Sequence, residues 1–295
     1  MLESVTRKFL TIASMLAGKN IISGEFKKRI KNRHKTFWQA PEAERVRNTI
    51  MVASDPIEKW KNVKNWQRKL SNKYNSREFA KKHNCKVADL YWKGRDINTL
   101  QFDNLPEHYV IRPTIGHSSA SVFLMNDSVN LMNGITYSKE DIKEALIKAL
   151  NENESLEFLF EEFLRTESGV YKIPDDYKFY MFNGEVASVQ VINRLGPSKG
   201  FTTCYNENWQ VMENVNTYYP KGEHQQPPEC FQEMLQKVKE LSKAYEIFVR
   251  IDFYATDKGA VFGEFTPTPF SGSYFTPKAE KFFSTYWDRF CNGMV

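Results

Sequence analysis

The sequence predicts an α+β fold, in which a mainly helical, basic N-terminal region precedes antiparallel strands with helices between them. Before residue 105, apolar residues recur mostly with helical spacing. After residue 106, β-prone runs follow one another with short polar turns, and Asn183-Gly184 is the strongest hairpin signal among them. Strands joined directly by hairpins are antiparallel, so a doubly wound parallel sheet is not expected.

Helical segments are recognised by their spacing and their caps. Apolar residues from Val5 to Leu16 lie on one helix face and predict an amphipathic helix over residues 4–17. Ser138, with an acidic residue three positions later, predicts the start of a helix that ends near Leu150. Further helices are expected from residue 55 through 66, from about residue 76, and over 227–245.

Strands occupy the second part of the chain. Residues 108–125 predict a strand, a polar loop at 116–121 and a second strand, and residues 156–164 predict an apolar strand. Residues 178–194 predict a hairpin that turns at Asn183-Gly184. The last pair of strands, 247–255 and 260–269, is joined by a turn at 256–259.

Composition is that of a soluble globular protein. Its 295 residues, 41% of them hydrophobic and 26% charged, are enough to bury a core. Charged residues interrupt every apolar run well short of the ~20 residues that a membrane helix needs. Arg7 and Lys8 interrupt the N-terminal apolar stretch, which argues against a secretory signal. The four cysteines are scattered, as expected of reduced thiols in the cytoplasm.

Charge is distributed unevenly along the chain. The first 95 residues hold 23 Lys and Arg against 8 Asp and Glu, whereas the remainder holds 18 against 28. The basic part is suited to an anionic glycan, an anionic membrane or nucleic acid, with a solvated lysine-rich surface as the alternative. Nucleic acid is the least favoured partner, because no recognised nucleic-acid motif accompanies the basic residues.

The last strand pair holds the most informative side chains. Arg250 and Asp252 lie two apart on one strand and share a face, as do Glu264 and Thr266 on the next. Two converging carboxylates are hard oxygen ligands that suit Mg²⁺, and an arginine beside them would neutralise phosphate charge. A solvated cross-strand salt bridge is the alternative.

Three further segments carry polar groups of the same kind. Arg112 precedes the small-residue loop at 116–121, a combination that can cover a polyphosphate. The strand end at 161–164 could offer backbone groups to a purine and a carboxylate to a ribose, although an edge strand is the favoured interpretation of this segment taken alone. Asp176 and Lys178 alternate with aromatic residues and therefore share one face of a strand.

In this order, the segments resemble the TupA-like (teichuronopeptide biosynthesis) branch of the ATP-grasp superfamily over roughly residues 60–290. The matching segments are residues 73–78, 112–120, 161–164, 176–185, 248–254 and 262–267. The resemblance implies two β-lobes with ATP between them. It divides the chain into a basic helical region (1–105), a small lobe (106–165) and a large lobe with the magnesium site (166–295).

The resemblance also implies roles for single residues. The ATP phosphates would be held by Arg112, Gly116, His117, Ser118 and Ser119. The adenine would lie along Glu161, Glu162, Phe163 and Leu164, with Asp176 near the ribose. Lys178 and Arg194 would face phosphate or substrate, Arg250 would stabilise the transferred phosphoryl group, and Mg²⁺ would be held by Asp252, Glu264 and Thr266. Arg112 stands where most relatives have lysine, and the loop has one glycine where relatives often have several.

The activity implied is an ATP-dependent, ADP-forming carboxylate–amine ligase that works through an acylphosphate. The resemblance points to an amino acid or peptide joined to a cell-surface or capsular polysaccharide, or to its uronic acid. A kinase with the same fold and a non-catalytic nucleotide-binding scaffold are the alternatives. We expect a cytoplasmic protein without a nucleic-acid partner, whose basic N-terminal region binds an anionic glycan or the inner face of the membrane.

Overall fold

The computed structural model describes residues 24–116, 121–213 and 215–291. The helix predicted over 4–17 lies outside these residues, as do His117, Ser118 and Ser119 of the predicted phosphate loop. The described chain forms two six-stranded sheets with helices packed against them, which confirms the predicted α+β class. Among the described residues, no helix combines the length and the apolar composition needed to cross a bilayer.

The elements follow one another in an irregular alternation of helix and strand. The described helices are α1 (Glu25–Trp38), α2 (Ala43–Asn48), α3 (Ile57–Trp60), α4 (Lys73–Lys82), α5 (Lys139–Glu152), α6 (Phe231–Tyr245) and α7 (Pro277–Phe290). The described strands are β1 (Lys86–Val87), β2 (Leu90–Gly94), β3 (His108–Pro113), β4 (Phe123–Asn126), β5 (Val129–Asn130), β6 (Ile135–Thr136), β7 (Phe158–Glu162), β8 (Asp176–Phe182), β9 (Glu185–Gly196), β10 (Lys199–Tyr205), β11 (Val249–Thr256) and β12 (Gly259–Thr266). Short 3-10 turns cover Trp66–Ser71, Ile97–Thr99, Phe102–Asn104 and Pro269–Gly272.

The large sheet has the strand order β1-β12-β11-β8-β9-β10. Both predicted hairpins are confirmed in it: β8 and β9 turn at Asn183-Gly184, and β11 and β12 turn just before Gly259. Asn183 and Gly184 both have positive φ, 49° and 96°, which is the conformation that a tight hairpin turn requires. One face of this sheet packs on α6, whose buried residues include Met234, Val238 and Leu241.

The small sheet has the order β2-β7-β3-β4-β5-β6. Helix α5 covers one face and buries Ile142, Leu146 and Leu150 in a core shared with strand β7. The predicted cap is confirmed, because Ser138 and Asp141 form a complete capping box. The other face of this sheet is the one that carries Arg112.

The N-terminal region is mainly helical, as predicted, but it also contributes a strand to each sheet. Strand β1 pairs in parallel with β12 of the large sheet, and β2 pairs with β7 of the small sheet. Neither strand is predicted, since two to five residues without strict alternation give no local signal. The helix expected from residue 55 through 66 is broken into α3 and a 3-10 turn, and the helix expected from residue 76 begins at Lys73.

Helix α1 covers the other face of the large sheet, together with α7. Its buried residues include Phe26, Ile30 and Phe37, and the Phe26 ring lies 5.3 Å from that of Phe248. Arg33 of the same face donates a hydrogen bond to the Phe248 carbonyl at 2.8 Å. Helix α1 is thereby fixed to the strand that carries Arg250 and Asp252.

The contact between α1 and the turn after β12 gives a test of the packing. At Gly272, φ is 75°, and an added Cβ would lie 2.7 Å from the Lys27 Cα. At Gly169, φ is also 75°, but an added Cβ would have no neighbour within 4 Å. Both Gly→Ala changes should lower the free energy of unfolding by about 1 kcal/mol, because alanine is strained at this positive φ. Gly272→Ala should cost roughly 1–3 kcal/mol more through the overlap with Lys27.

Urea denaturation measures both free energies of unfolding. A Gly272→Ala cost equal to that of Gly169→Ala would show that α1 does not pack on the turn as described.

Candidate functional site

A row of charged side chains crosses the large sheet. Asp252 of β11 lies opposite Glu264 of β12 on one side and opposite Lys178 of β8 on the other. Arg250 lies opposite Thr266 in the next register position. Alternation along each strand puts each i, i+2 pair on one face of the sheet. The strand register then brings the five side chains named here together.

Asp252 is the centre of this row. Its side chain is 2% exposed. Arg250 donates to Asp252 Oδ1 from Nε at 2.7 Å and to Oδ2 from Nη2 at 2.8 Å, and Lys178 Nζ donates to Oδ2 at 2.5 Å. Burial alone would raise the pKa of Asp252, but the charges of Arg250 and Lys178 outweigh it and lower the pKa. The carboxylate is therefore ionised at neutral pH.

Glu264 is the open end of the row. Its side chain is 34% exposed, and its Oε1 lies 3.5 Å from Arg250 Nη2. The Thr266 hydroxyl accepts a hydrogen bond from Arg250 at 2.8 Å and donates to Glu264 at 3.4 Å. Two carboxylates and a hydroxyl are hard oxygen donors, so the chemistry of the set fits Mg²⁺. Asp252 Oδ2 already accepts two hydrogen bonds, so Lys178 and a metal would compete for that carboxylate.

A second ion pair extends the row along β8 and β9. Arg194 donates to Asp176 Oδ2 from Nε at 3.0 Å, and Lys178 Nζ lies 3.4 Å from Asp176 Oδ1. Burial lowers the pKa of Arg194, but Asp176 raises it by more, so the guanidinium stays charged. Lys178 is thus shared between Asp176 and Asp252, which connects the two ion pairs.

Arg112 faces this row from the small sheet. It forms a two-pronged ion pair with Glu161 of the neighbouring strand, and its Nη1 donates to the Gly263 carbonyl of β12 at 3.3 Å. Arg77 lies 3.7 Å from the same carboxylate. Arg112 and the Asp252 row therefore lie next to each other where the two sheets meet, and we call this junction the cleft.

The predicted adenine segment has side-chain partners of its own. Glu161 is buried between Arg112 and Arg77, and Glu162 pairs with Lys258 at 2.5 Å. Phe163 and Leu164 are buried too, and Phe163 packs in a cluster with Leu124 and Met132. The side chains of Glu161 and Glu162 are thus engaged in ion pairs, and the backbone of the strand end is what remains for a purine.

Lys73 belongs to the same cleft, although no role was predicted for it. It begins α4 and donates from Nζ to the Gly116 carbonyl at 3.3 Å. Burial lowers the pKa of Lys73, and the charges of Glu264 and Glu161 offset this lowering only in part. The sequence gave one indication of a role for Lys73, its position in the segment 73–78 that matches the family. The tertiary structure is what places it beside Gly116.

A family model and several solved structures are similar to this chain. A model of the family described as TupA-like ATP-grasp matches residues 56–284. No functionally curated protein matches the chain. D-alanine–D-alanine ligase from Bacillus anthracis is 16% identical, with a TM-score of 0.49 over 74% of this chain and 66% of that one. L-amino acid ligase from Bacillus licheniformis is 14% identical, with a TM-score of 0.48 over 82% and 55%. The chain spans less than two thirds of the length of either enzyme.

The different surroundings of the two carboxylates predict different effects of mutation on stability. Asp252→Asn removes the nearest counter-charge of the buried Arg250 and Lys178 and leaves only the more distant Glu264 and Asp176, so we expect a loss of about 3–5 kcal/mol. Glu264→Gln removes a part-exposed charge at the edge of the cleft and should cost less than about 1 kcal/mol. Urea denaturation in the absence of nucleotide measures both values. Equal effects of the two changes would contradict the assignment of Asp252 as the buried centre.

Proposed function

The chain belongs to the TupA-like ATP-grasp family, and we propose that it is an ATP-dependent ligase that joins a carboxylate to an amine. The observation that best supports the proposal is the row of Glu264, Asp252 and Lys178 next to Arg112, with carboxylates and cations together in the cleft. Cations suit the phosphates of ATP, and the carboxylates suit the metal that accompanies it.

Asp252 and Glu264 would hold Mg²⁺, with the Thr266 hydroxyl beside them. When bound, the ion neutralises charge on the phosphate oxygens. Arg250 is already fixed by Asp252 and Thr266, so it presents its charge without reorganisation. From the small lobe, Arg112 and Lys73 would hold the phosphates.

The reaction consists of two displacements. A carboxylate oxygen attacks the γ-phosphorus, the bond to the bridging oxygen breaks, and ADP leaves with an acylphosphate formed. An amine nitrogen then attacks the acyl carbon, phosphate leaves, and the nitrogen loses a proton. A neutral amine attacks an acylphosphate readily once positioned, so the residues of the cleft act by proximity and charge stabilisation.

The substrates that we propose are an amino acid or peptide and a cell-surface or capsular polysaccharide, or its uronic acid. The excess of basic residues in the first 95 supports an anionic partner. A cytoplasmic site at the inner face of the membrane, where such polysaccharides are assembled, would fit this pairing.

Binding of Mg-ATP should raise the thermal unfolding temperature. At about 100-fold excess over the dissociation constant, the added stability is roughly 2.7 kcal/mol. For a chain of this size that is a shift of several degrees. Glu264→Gln should lose most of the shift, and ATP with a chelator should give little.

Glu144→Gln is the matched control, because Glu144 is an exposed glutamate of α5, away from the cleft. The absence of a shift in the wild type would remove the catalytic proposal and leave a non-catalytic scaffold.

A trapping experiment separates ligase from kinase. With a galacturonate oligomer or an amino-acid mixture as carboxylate and hydroxylamine as amine, a ligase forms a hydroxamate together with equal amounts of ADP and phosphate. The hydroxamate is measured by mass spectrometry and phosphate by a colorimetric assay. A stable phosphorylated acceptor with no release of phosphate would show a kinase instead.

A further inference from the structure

An aromatic surface lies at the end of β12, outside the charged row. We call Tyr218, Phe270 and Tyr274 the aromatic rim. Tyr218 is 38% exposed and Tyr274 is 50% exposed, although their rings lie only 4.9 Å apart. The Phe270 ring lies 5.2 Å from Tyr218 and 5.8 Å from Tyr274. Exposed aromatic rings that pack mainly on one another form a patch of the kind that marks binding sites.

The backbone that holds the rim is strained. Phe270, Ser271 and Tyr274 have φ values of 50°, 51° and 64°, although none of them is glycine. Such conformations cost of order 1–3 kcal/mol each and occur where the surrounding structure enforces them. Thr217 N donates to the Tyr274 carbonyl at 2.9 Å, which fixes the strained turn to the segment that carries Tyr218. Packing of Gly272 on α1 and of Phe270 on the core holds this conformation, while the rings of Tyr218 and Tyr274 remain exposed.

The rim borders the charged row. Its turn, Pro269–Gly272, begins three residues after Thr266, and the neighbouring Phe275 packs on Tyr180 at 5.6 Å. Tyr180 lies opposite Arg250 in the sheet. The Phe270 ring lies 6.3 Å from that of Phe275, so the rim is connected to Arg250 through the rings of Phe275 and Tyr180.

A line of lysines continues from the rim along α1. Gly272 of the strained turn packs on the backbone of Lys27. Lys27, Lys31 and Lys35 follow at intervals of four residues and so lie along one ridge of the helix. Lys31 and Lys35 are exposed. We call these three residues the basic ridge.

We propose that the aromatic rim and the basic ridge together bind an anionic glycan, and this inference rests on the proposed function. A sugar ring has C–H faces that pack on aromatic rings and hydroxyls that bond to tyrosine, whose own ring is apolar with a polar tip. Uronic-acid carboxylates match the lysines in charge. A bilayer would also attract lysines and tyrosines, but the rim continues into the charged row, where the acceptor must reach the γ-phosphate. Continuity with the row therefore favours a glycan substrate.

The test is calorimetric binding of a galacturonate oligomer to the full chain, with and without Mg-ATP. Tyr274→Ala and Tyr218→Ala should each weaken binding about fivefold, which corresponds to about 1 kcal/mol for one aromatic contact. The double variant Lys31→Ala, Lys35→Ala should weaken it as well, and added salt should reduce the difference. Tyr91→Ala, an equally exposed tyrosine of β2, and Lys148→Ala with Lys172→Ala are the matched controls.

Tyr274→Gly is a second variant that removes the ring and should still fold, because glycine adopts the φ of 64° without strain.

A thermal shift with Mg-ATP, measured on every variant, separates the two proposals. If the shift persists but the oligomer does not bind, or binds equally well to the rim and control variants, the glycan inference is overturned and the ligase proposal stands. Loss of the shift in the wild type overturns the ligase proposal. Binding of phosphatidylglycerol vesicles, lost on Tyr274→Ala without any binding of the oligomer, would assign this surface to the membrane.

Discussion

The buried carboxylate of Asp252 is the constraint on which the rest of the site depends. A charge removed from water in the middle of a sheet is stable only when counter-charges meet it at good geometry. Arg250 supplies them from the same strand and Lys178 from the neighbouring one. Because the pairing holds only in one register of β8 against β11, the ion pairs also fix which side chains face the cleft.

The two sheets solve the same problem in the same way. In the large sheet the buried Asp252 lies between Arg250 and Lys178, and in the small sheet the buried Glu161 lies between Arg112 and Arg77. The Asp252 cluster is complete within the large sheet, whereas Glu161 also depends on Arg77 of α4, a helix that packs on the large sheet. Arg112 reaches a backbone carbonyl, that of Gly263, rather than a carboxylate of the large lobe. Two ion pairs also join the small sheet to elements packed with the large one, Glu161 to Arg77 of α4 and Glu162 to Lys258.

Local signals in the sequence predicted the parts of the fold that local chemistry determines. Asn183-Gly184 specifies a hairpin and Ser138 with Asp141 specifies a helix start, whatever lies around them. Alternation along β11 placed Arg250 and Asp252 on one face. Sequence alone gave no way to see that Lys178 would pair with Asp252, a partner 74 residues away, or that β1 would join the large sheet. Those features depend on register between distant strands, and the same is true of the position of Lys73 beside Gly116.

The charge balance of the cleft bears on the order in which ligands arrive. The side chains around it are Lys73, Arg77, Arg112, Lys178, Arg194 and Arg250 against Asp176, Glu161, Asp252 and Glu264. The excess is positive, so the cleft attracts a polyphosphate and repels a free dication. Asp252 is moreover neutralised by its own partners before any ligand is present. Glu264 is the carboxylate with a third of its side chain exposed, so under the proposed function we expect the nucleotide to bring its metal with it.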